Sequence, residues 1–278
     1  MRLHIIAPLV AKRANLWRER RRSLKKALAA FRAGHPEGLH DVRVALRRVA
    51  ATASGLREES VARRARRLVR SLSERRQLEV DRQLLSRVRE LGVLAPEVAA
   101  GLDARWDALL VGGARQAEKA VTGRRMHSLV ERLGSLESRG EAEISRRLQR
   151  ARREAERSIA HPPEGGSDSE LHRYRVAVKA ARYVLEDLAF RGAPGLDPSL
   201  ERLRGAQEAL GRWNDVRLFS RHLSRTRRDA ERRGAVTLAL ELDRLLAAID
   251  RTVEKARADA LDAARPLSNV VDLRRRRA

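Results

Sequence analysis

Residues 40–49 read HDVRVALRRV and residues 172–181 read HRYRVAVKAA. The two segments align without gaps: each begins with His, has Arg three places on followed by Val-Ala, and carries a basic residue seven places after the His, Arg47 or Lys179. A helix places residues at these spacings along one side. A basic helix that occurs twice predicts one binding site built from two halves, with a polyanion as its ligand.

The composition predicts a globular, all-α, strongly basic protein. The chain has 278 residues and a formal net charge of +24, from 61 Lys and Arg against 37 Asp and Glu. Hydrophobic residues make up 42%, which is enough for a core and excludes a disordered basic tail. Leu, Ala, Arg and Glu dominate, as in long helices, and no alternating β-branched run predicts a strand. A GC-rich genome would explain the preference for Arg over Lys, but it would not explain the net charge.

Several classes of function find no support in the sequence. The absence of Cys excludes disulfides, thiolate metal sites and a Cys nucleophile. The seven His have no metal-ligand spacing, and no glycine-rich loop has the spacing of a phosphate cradle. Lys12 and Arg13 interrupt the apolar stretch near the N-terminus, which is too short to span a membrane. We therefore expect a cytoplasmic protein that is not an enzyme and uses no metal or cofactor.

Gly and Pro positions divide the chain into eight predicted helices in two sets of four. We expect one unit over residues 1–264, with a first half of about 1–122 and a second of about 123–264, followed by a basic flexible tail over 265–278. The repeated segment is the second helix of each half. The predicted helices are 6–33, 38–57, 61–91, 96–120, 126–160, 168–190, 198–233 and 235–264.

A second pair of similar segments supports duplication. Residues 72–80 read LSERRQLEV and residues 210–218 read LGRWNDVRL. The offset between the copies grows from 132 to 138 residues, and the extra six fit a longer loop at 191–199. Two similarities in the same order make an internal repeat more credible than one.

Helical projection separates an apolar stripe from a basic row in each copy. The stripes are Val42, Leu46, Val49, Ala53 and Leu56 in the first copy and Tyr174, Val178, Ala181, Leu185 and Leu188 in the second. The basic rows comprise His40, Arg43 and Arg47, with Arg48 at an angle, and His172, Arg175, Lys179 and Arg182. We expect no acidic partners four places on in these rows, so that a linear anion would bridge the like charges. A simpler interpretation is a solvated basic face with both His as caps or packing residues, and recurrence at matched positions argues against it.

The two motifs, H-x-x-R-V-A-L-R-R and L-H-x-x-R-V-A-V-K-x-x-R-Y-x-L-E, resemble the paired signatures of the CHAD family, the conserved histidine α-helical domain. The segment LGRWNDV resembles an element that follows the second signature. The resemblance covers about residues 5–264. It implies two four-helix bundles of long antiparallel helices, related by pseudo-two-fold symmetry, with a basic central groove. It also implies binding of inorganic polyphosphate and, in some members, recruitment to polyphosphate granules.

By matched position, the resemblance implies that the polyphosphate-binding residues are His40, Arg43, Arg47, Arg48, His172, Arg175, Lys179 and Arg182. The chain departs from the family pattern at Ala50, Ala180 and Gln77, so the two halves are expected to contribute unequally. Many CHAD domains are fused to a triphosphatase domain with E-x-E-x-K on a strand. Glu141 and Glu143 lack the Lys and lie in a helical pattern, which favours a stand-alone CHAD protein.

Other basic and aromatic residues have weaker predictions. The cluster from Arg63 to Arg76 spreads around more than half of a helix, so many of its members are expected to be solvated, and extension of the groove by some of them is the alternative. The tail, Arg274 to Arg277, is expected to add nonspecific affinity for polyanions. The three Trp, at 17, 106 and 213, are expected to anchor the core.

Three functions remain open at this point. The first is non-enzymatic polyphosphate binding, with granule association. The second is a nucleic-acid-binding, nucleoid-type protein, against which the eight aromatic residues and the lack of a recognition-helix module count. The third is a scaffold that docks on acidic protein or granule surfaces.

Overall fold

The computed structural model describes residues 15–267, apart from 91, 93, 165 and 166. Within these residues the chain forms ten α-helices, one short 3₁₀ helix and no strand, which confirms the all-α prediction. The helices are α1 Leu16–Arg32, α2 Gly38–Gly55, α3 Glu59–Ser71, α4 Ser73–Glu90, α5 Pro96–Thr122, α6 Arg124–Ser135, α7 Glu141–Ile159, α8 Asp168–Phe190, α9 Asp197–Arg232 and α10 Val236–Ala264, with the 3₁₀ helix at Arg265–Leu267.

Two of the eight predicted helices are each divided into two. The predicted helix 61–91 breaks at Leu72, whose amide is 3.3 Å from the carbonyl oxygens of both Leu68 and Val69. The predicted helix 126–160 breaks between α6 and α7, where Gly140 adopts an extended conformation (φ −61°, ψ 130°). Neither break contains Pro, and Gly140 alone is a weak helix terminator, so the sequence pattern did not indicate them.

Two predicted features lie wholly or partly outside the described residues. The first predicted helix begins at residue 6, and its residues 6–14 lie outside the described part of the chain. Residues 268–278 of the predicted basic tail, which include Arg274 to Arg277, also lie outside it. The first three residues of the predicted tail form the 3₁₀ helix, and Leu267 there is fully buried.

The apolar core has two parts, and each draws on both halves of the sequence. The larger part joins α1, α2, α3, α6, α7 and α8 with the ends of α5, α9 and α10. The smaller part joins α4 and α5 to α9 and α10, with Trp106 and Phe219 in edge-to-face contact at 5.8 Å between ring centroids. The three Trp are at most 2% exposed, which confirms that they anchor the core.

The order of packed neighbours is alike in the two halves. Helix α1 packs on α2, α2 on α3 and α4 on α5, while α7 packs on α8, α8 on α9 and α9 on α10. Across the halves, α2 packs on α8 and α4 on α9, so the two copies of each repeated segment lie on neighbouring helices. The two-fold symmetry itself stays a prediction.

A buried polar network fixes α2 against α8. Arg20 of α1 forms an ion pair with Asp187 of α8, and its Nε donates to Thr52 Oγ1 of α2 at 3.1 Å. The Thr52 hydroxyl donates to Asp187 Oδ2 at 2.6 Å. All three residues are buried, so breaking one member would leave the others without compensation.

Within the part of the chain that the structure describes, no helix is both long and apolar enough to cross a membrane.

Candidate functional site

Local sequence signals start the two repeated helices at fixed places. Ser167 accepts from the amide of Glu170, whose carboxylate accepts from the Ser167 amide at 2.6 Å, and this capping box starts α8 one turn before His172. Gly38 starts α2 two residues before His40. A Cβ on Gly38 would lie 2.6 Å from the Cα of Phe31, so only glycine allows α2 to begin this close to α1.

The apolar stripes of both repeated helices are buried, as predicted. Every residue of the two stripes is at most 6% exposed, and all ten belong to the larger core. Since α2 and α8 pack on each other through this core, their basic rows are brought to the same region of the molecule. The convergence depends on this contact and not on the spacing within either helix.

The predicted residues Arg43, Arg47, Arg175 and Lys179 come together there with Arg76 of α4. Each copy of the motif contributes two of these cations. Arg47 and Arg43 lie near enough to Lys179 to disfavour its protonated form, and Arg47 and Arg76 do the same to Arg43. We call these five residues, with His40 and His172, the central basic cluster.

Burial makes these charges costly. Burial and then the charges of Arg175 and Arg47 lower the pKa of Lys179 from 10.5 to about 7. Burial followed by the charges of Arg47 and Arg76 lowers the pKa of Arg43 from its ordinary value to about 10. Burial also lowers the pKa of Arg175. Each shift means that the surroundings destabilise the protonated form relative to water.

Two carboxylates, Asp215 and Glu79, offset only part of this charge. Asp215 of α9 counteracts the pKa lowering of Lys179 and Arg175, although burial raises its own pKa. Glu79 of α4 is shared between Arg75 and Arg76, at 3.3 and 3.2 Å. Five cations therefore face two carboxylates, of which one is already engaged by an arginine outside the cluster.

Two guanidinium groups in the cluster have spare hydrogen-bond donors. Among the residues that the structure describes, neither Arg43 Nε nor Arg175 Nε has an acceptor, and both atoms are buried. A buried N–H without an acceptor costs about 1–3 kcal/mol. An anion with several oxygen atoms would supply acceptors to both and countercharge to the cluster.

The surroundings lower the pKa of both histidines in the free protein. Burial and then Arg76 lower the pKa of His40, and burial and Arg175 lower that of His172 despite a hydrogen bond to Asn214. His172 Nδ1 is 3.3 Å from Asn214 Oδ1, which can only accept, so Nδ1 carries the proton and Nε2 is the acceptor. Each imidazole would gain a second N–H donor on protonation beside an anion.

Arg48 and Arg182, which were also predicted as site residues, meet at Glu186 instead. Arg182 Nη1 lies 2.7 Å from Glu186, and its Nε donates to Gln207 at 2.9 Å. Arg48 lies 3.5 Å from the same carboxylate. The expectation that the basic rows lack acidic partners four places on is therefore wrong for Arg182, because Glu186 stands at that position and faces it. The part of these two arginines in ligand binding stays a prediction.

The residues that the motif did not predict come from the second repeated pair. Arg76 and Glu79 lie in its first copy, and Asn214, Asp215 and Arg217 lie in its second. Arg76 and Asn214 occupy equivalent positions of the alignment, and so do Glu79 and Arg217. The second pair of segments was thus the available signal for them, although on the sequence it served as evidence for duplication and for the family resemblance and not as part of the site. Trp213 and its neighbours lie within the unbroken α9.

The arrangement is suited to holding an anion. Residues 15–267, with the gaps given above, contain no group of three His, Asp or Glu that could hold a metal ion. Arginine donors in a fixed plane and a compact ammonium are the usual partners of phosphate oxygens. Glu141 and Glu143 lie in α7 and not on a strand, as the sequence indicated.

Comparisons with known proteins agree on one fold. The family model of the CHAD domain matches residues 15–224, which include both repeated segments and the whole central basic cluster. PptA from Streptomyces chartreusis has a similar structure, with a TM-score of 0.71 and 20% identity over 90% of this chain and 96% of that chain. The CHAD domain from the plant Ricinus communis is also similar, with a TM-score of 0.69 and 22% identity over 91% of this chain and 89% of that chain. No curated protein matches the sequence.

Proposed function

Because the chain belongs to the CHAD domain family, we propose that it binds inorganic polyphosphate through the central basic cluster and catalyses no reaction on it. The observation that carries the proposal is the gathering of five cations from α2, α4 and α8 around two carboxylates. Like charges that lie close together and are partly withdrawn from water lower the stability of the folded protein. A bound anion would offset this loss.

Binding would reverse the shifts that burial causes in the free protein. Phosphate oxygens within hydrogen-bond distance favour the protonated forms of Lys179 and both histidines. The spare Nε donors of Arg43 and Arg175 would each gain a charged acceptor, and such charge-assisted bonds are about twice as strong as neutral ones. Polyphosphate provides many equivalent oxygens along a thin chain, so several donors can be satisfied at once.

The composition of the cluster favours a chain without bases. Stacking on aromatic side chains contributes about 1–3 kcal/mol per base in proteins that bind single-stranded nucleic acid. The central basic cluster has no Phe, Tyr or Trp, and Trp213, the nearest in sequence to Asn214, is fully buried with the Arg217 guanidinium 4.9 Å from its ring centroid. Nucleic acid binding is therefore the alternative that the experiment must separate from this proposal.

The deciding experiment is competition at about 150 mM salt, where weak surface electrostatics are screened. Labelled long-chain polyphosphate is bound to the protein and displaced with unlabelled polyphosphate, duplex DNA or single-stranded RNA, compared per phosphate. We expect polyphosphate to displace the label at least about tenfold more effectively than either nucleic acid. Equal competition by DNA or RNA would overturn the proposal in favour of a general polyanion or nucleic-acid function.

A matched pair of variants localises the binding. Arg43→Gln with Arg175→Gln removes two cluster cations, and Arg228→Gln with Arg251→Gln removes two exposed arginines of α9 and α10. Only the first pair should weaken polyphosphate binding strongly, although both lower the net charge by two. Equal losses would show that binding follows total charge and that the cluster is misassigned.

The proposal extends to location and to the lack of catalysis. A cytoplasmic protein with this affinity would associate with polyphosphate granules, which fluorescence microscopy of a tagged chain would detect as foci that vanish in the Arg43/Arg175 variant.

Incubation with polyphosphate should release no orthophosphate and leave the chain length unchanged on gels. Shortening of the chains would contradict a non-enzymatic role.

A further inference from the structure

A second basic groove lies between α3, α5 and α6, away from the central basic cluster. It has a volume of about 970 Å³ and shares no lining residue with that cluster. Six of its 13 lining residues are basic and none is acidic. The six are Arg63, Arg64, Arg67, Lys119, Arg124 and Arg125.

In the part of the chain that the structure describes, the six cations of this groove share the lack of a carboxylate partner. Elsewhere many surface arginines are paired, as Arg57 is with Glu154 at 2.7 Å or Arg89 with Asp103 at 3.3 Å. Among the described residues, none of the six groove cations forms an ion pair, and Arg64 donates to the hydroxyl of Ser128. Like charges this close repel one another, so the groove is arranged for an anion that the protein itself does not supply.

The shape of the groove restricts the kind of anion. One wall is α3, which provides Arg63, Arg64 and Arg67, and the opposite wall is the end of α5 with the start of α6. The hydrogen bond from Arg64 to Ser128 joins the two walls. No aromatic residue lines it, so bases would find no surface for stacking. A thin anionic chain fits these features better than a nucleic acid does.

The groove is also continuous in sequence with the central basic cluster. Ser71, at the end of α3, lines the groove, and Arg76 of the cluster follows five residues later on α4. Residues 60–71 of α3 extend over about 16 Å at 1.5 Å per residue. An elongated ligand that leaves the groove at Ser71 would therefore approach the cluster from the α4 side.

We propose that this groove is a second binding site for the phosphate chain, so that one long polyphosphate occupies both sites. This inference rests on the proposed function, since it assigns the same ligand to a second place on the molecule. Two linked sites bind a long chain more tightly than either does alone, because the second contact becomes intramolecular. A short chain can occupy each site only separately.

Calorimetric titration of the full chain distinguishes a protein with one phosphate-binding site from a protein with two. The two probes are tripolyphosphate and long-chain polyphosphate. We expect two tripolyphosphate molecules to bind per protein chain. The variant Arg63→Ala/Arg67→Ala/Lys119→Ala should bind one, and its affinity for long-chain polyphosphate should fall about tenfold or more. All three side chains are exposed, so the variant should fold, and circular dichroism checks this.

A matched control and a second variant keep the test decisive. Arg228→Ala/Arg251→Ala/Lys255→Ala also removes two arginines and one lysine, all exposed and outside both sites, and should still bind two molecules. Lys119→Glu should act like the triple variant through a single charge reversal. One tripolyphosphate per chain in wild type, unchanged in both groove variants, would overturn this inference while leaving the proposed function intact. Failure of wild type to bind either probe would overturn the proposed function itself.

Discussion

Replacement of Lys179 by Met should stabilise the free protein and weaken its binding of polyphosphate. Lys179 lies on α8, between the charges of Arg175 and Arg47, and at most about a third of it is exposed. Its pKa in the folded protein, about 7, is well below its ordinary value of 10.5. Met is similar in length and apolar, so it would fill the same space without a charge.

The sign and size of the effect follow from the pKa shift. The pKa of Lys179 is lower in the folded protein than in the unfolded chain. Its charge therefore destabilises the fold most below pH 7, where Lys179 is protonated in both the folded and the unfolded state. This loss of stability disappears as the pH rises from about 7 to 10.5. A shift of this size, at about 1.4 kcal/mol per unit, sets a ceiling of about 5 kcal/mol. Solvent that reaches the ammonium and local relaxation reduce the penalty, so we expect Lys179→Met to raise the free energy of unfolding by about 1–3 kcal/mol at pH 6.

Urea denaturation at pH 6 and at a pH near 10 measures this effect. The stability gain of Lys179→Met should be largest at pH 6 and smaller near pH 10. The affinity of the variant for polyphosphate at pH 6 should fall about tenfold to a hundredfold, which is the effect expected from the loss of one charge-assisted hydrogen bond. Lys255→Met, on the exposed side of α10, is the control and should change neither quantity. A Lys179→Met variant that is less stable than wild type at pH 6, or whose stability gain over wild type is equal at both pH values, would refute the reasoning.

Four further outcomes are expected. Polyphosphate affinity should fall as the pH rises from about 6 to about 9, and binding at pH 8 should take up protons, because the bound anion raises the pKa of Lys179 from about 7. Calorimetry in buffers of different ionisation enthalpy measures this proton uptake. An affinity that does not change with pH would contradict the prediction. The logarithm of the affinity should decrease linearly with the logarithm of the salt concentration, and Arg47→Gln should reduce the magnitude of this slope by about 1. An unchanged slope would place Arg47 away from the ligand. Asp187→Ala should cost about 3–5 kcal/mol in urea denaturation because it leaves Arg20 buried without a counter-charge, and a loss below about 1 kcal/mol would show that the pair is dispensable. Gly38→Ala should cost about 1–3 kcal/mol because its Cβ meets backbone of α1 at 2.6 Å, and a neutral effect would show that the turn relaxes easily.

The cost of the central basic cluster in the free protein and its proposed use in binding have the same origin. Arg43 and Lys179 are withdrawn from water beside other cations, which lowers their pKa values in the absence of ligand. The buried network of Arg20, Thr52 and Asp187 holds α2 against α8 and so keeps these charges together. A protein selected for stability alone would lose such charges, so their presence is best explained by an anionic ligand.

Much of the fold could be predicted from the periodicity of the sequence. The apolar stripes of α2 and α8, the long helices and the buried Trp17, Trp106 and Trp213 all follow from side chains spaced for a helix with one apolar face. The breaks at Leu72 and before Gly140 could not be predicted in this way. They depend on where helices meet their neighbours, and neither has a strong local terminator.

The sequence by itself determined that a basic helix occurs twice, which residues of each copy face the core and which carry charge. Only the tertiary structure decided which charges act together. Arg182 meets Glu186 and Gln207, whereas Arg76, four helices away from α8 in chain order, joins Arg175 and Lys179. The physical reason is that Coulomb interactions and desolvation depend on distances between helices and on burial, and spacing along one helix fixes neither.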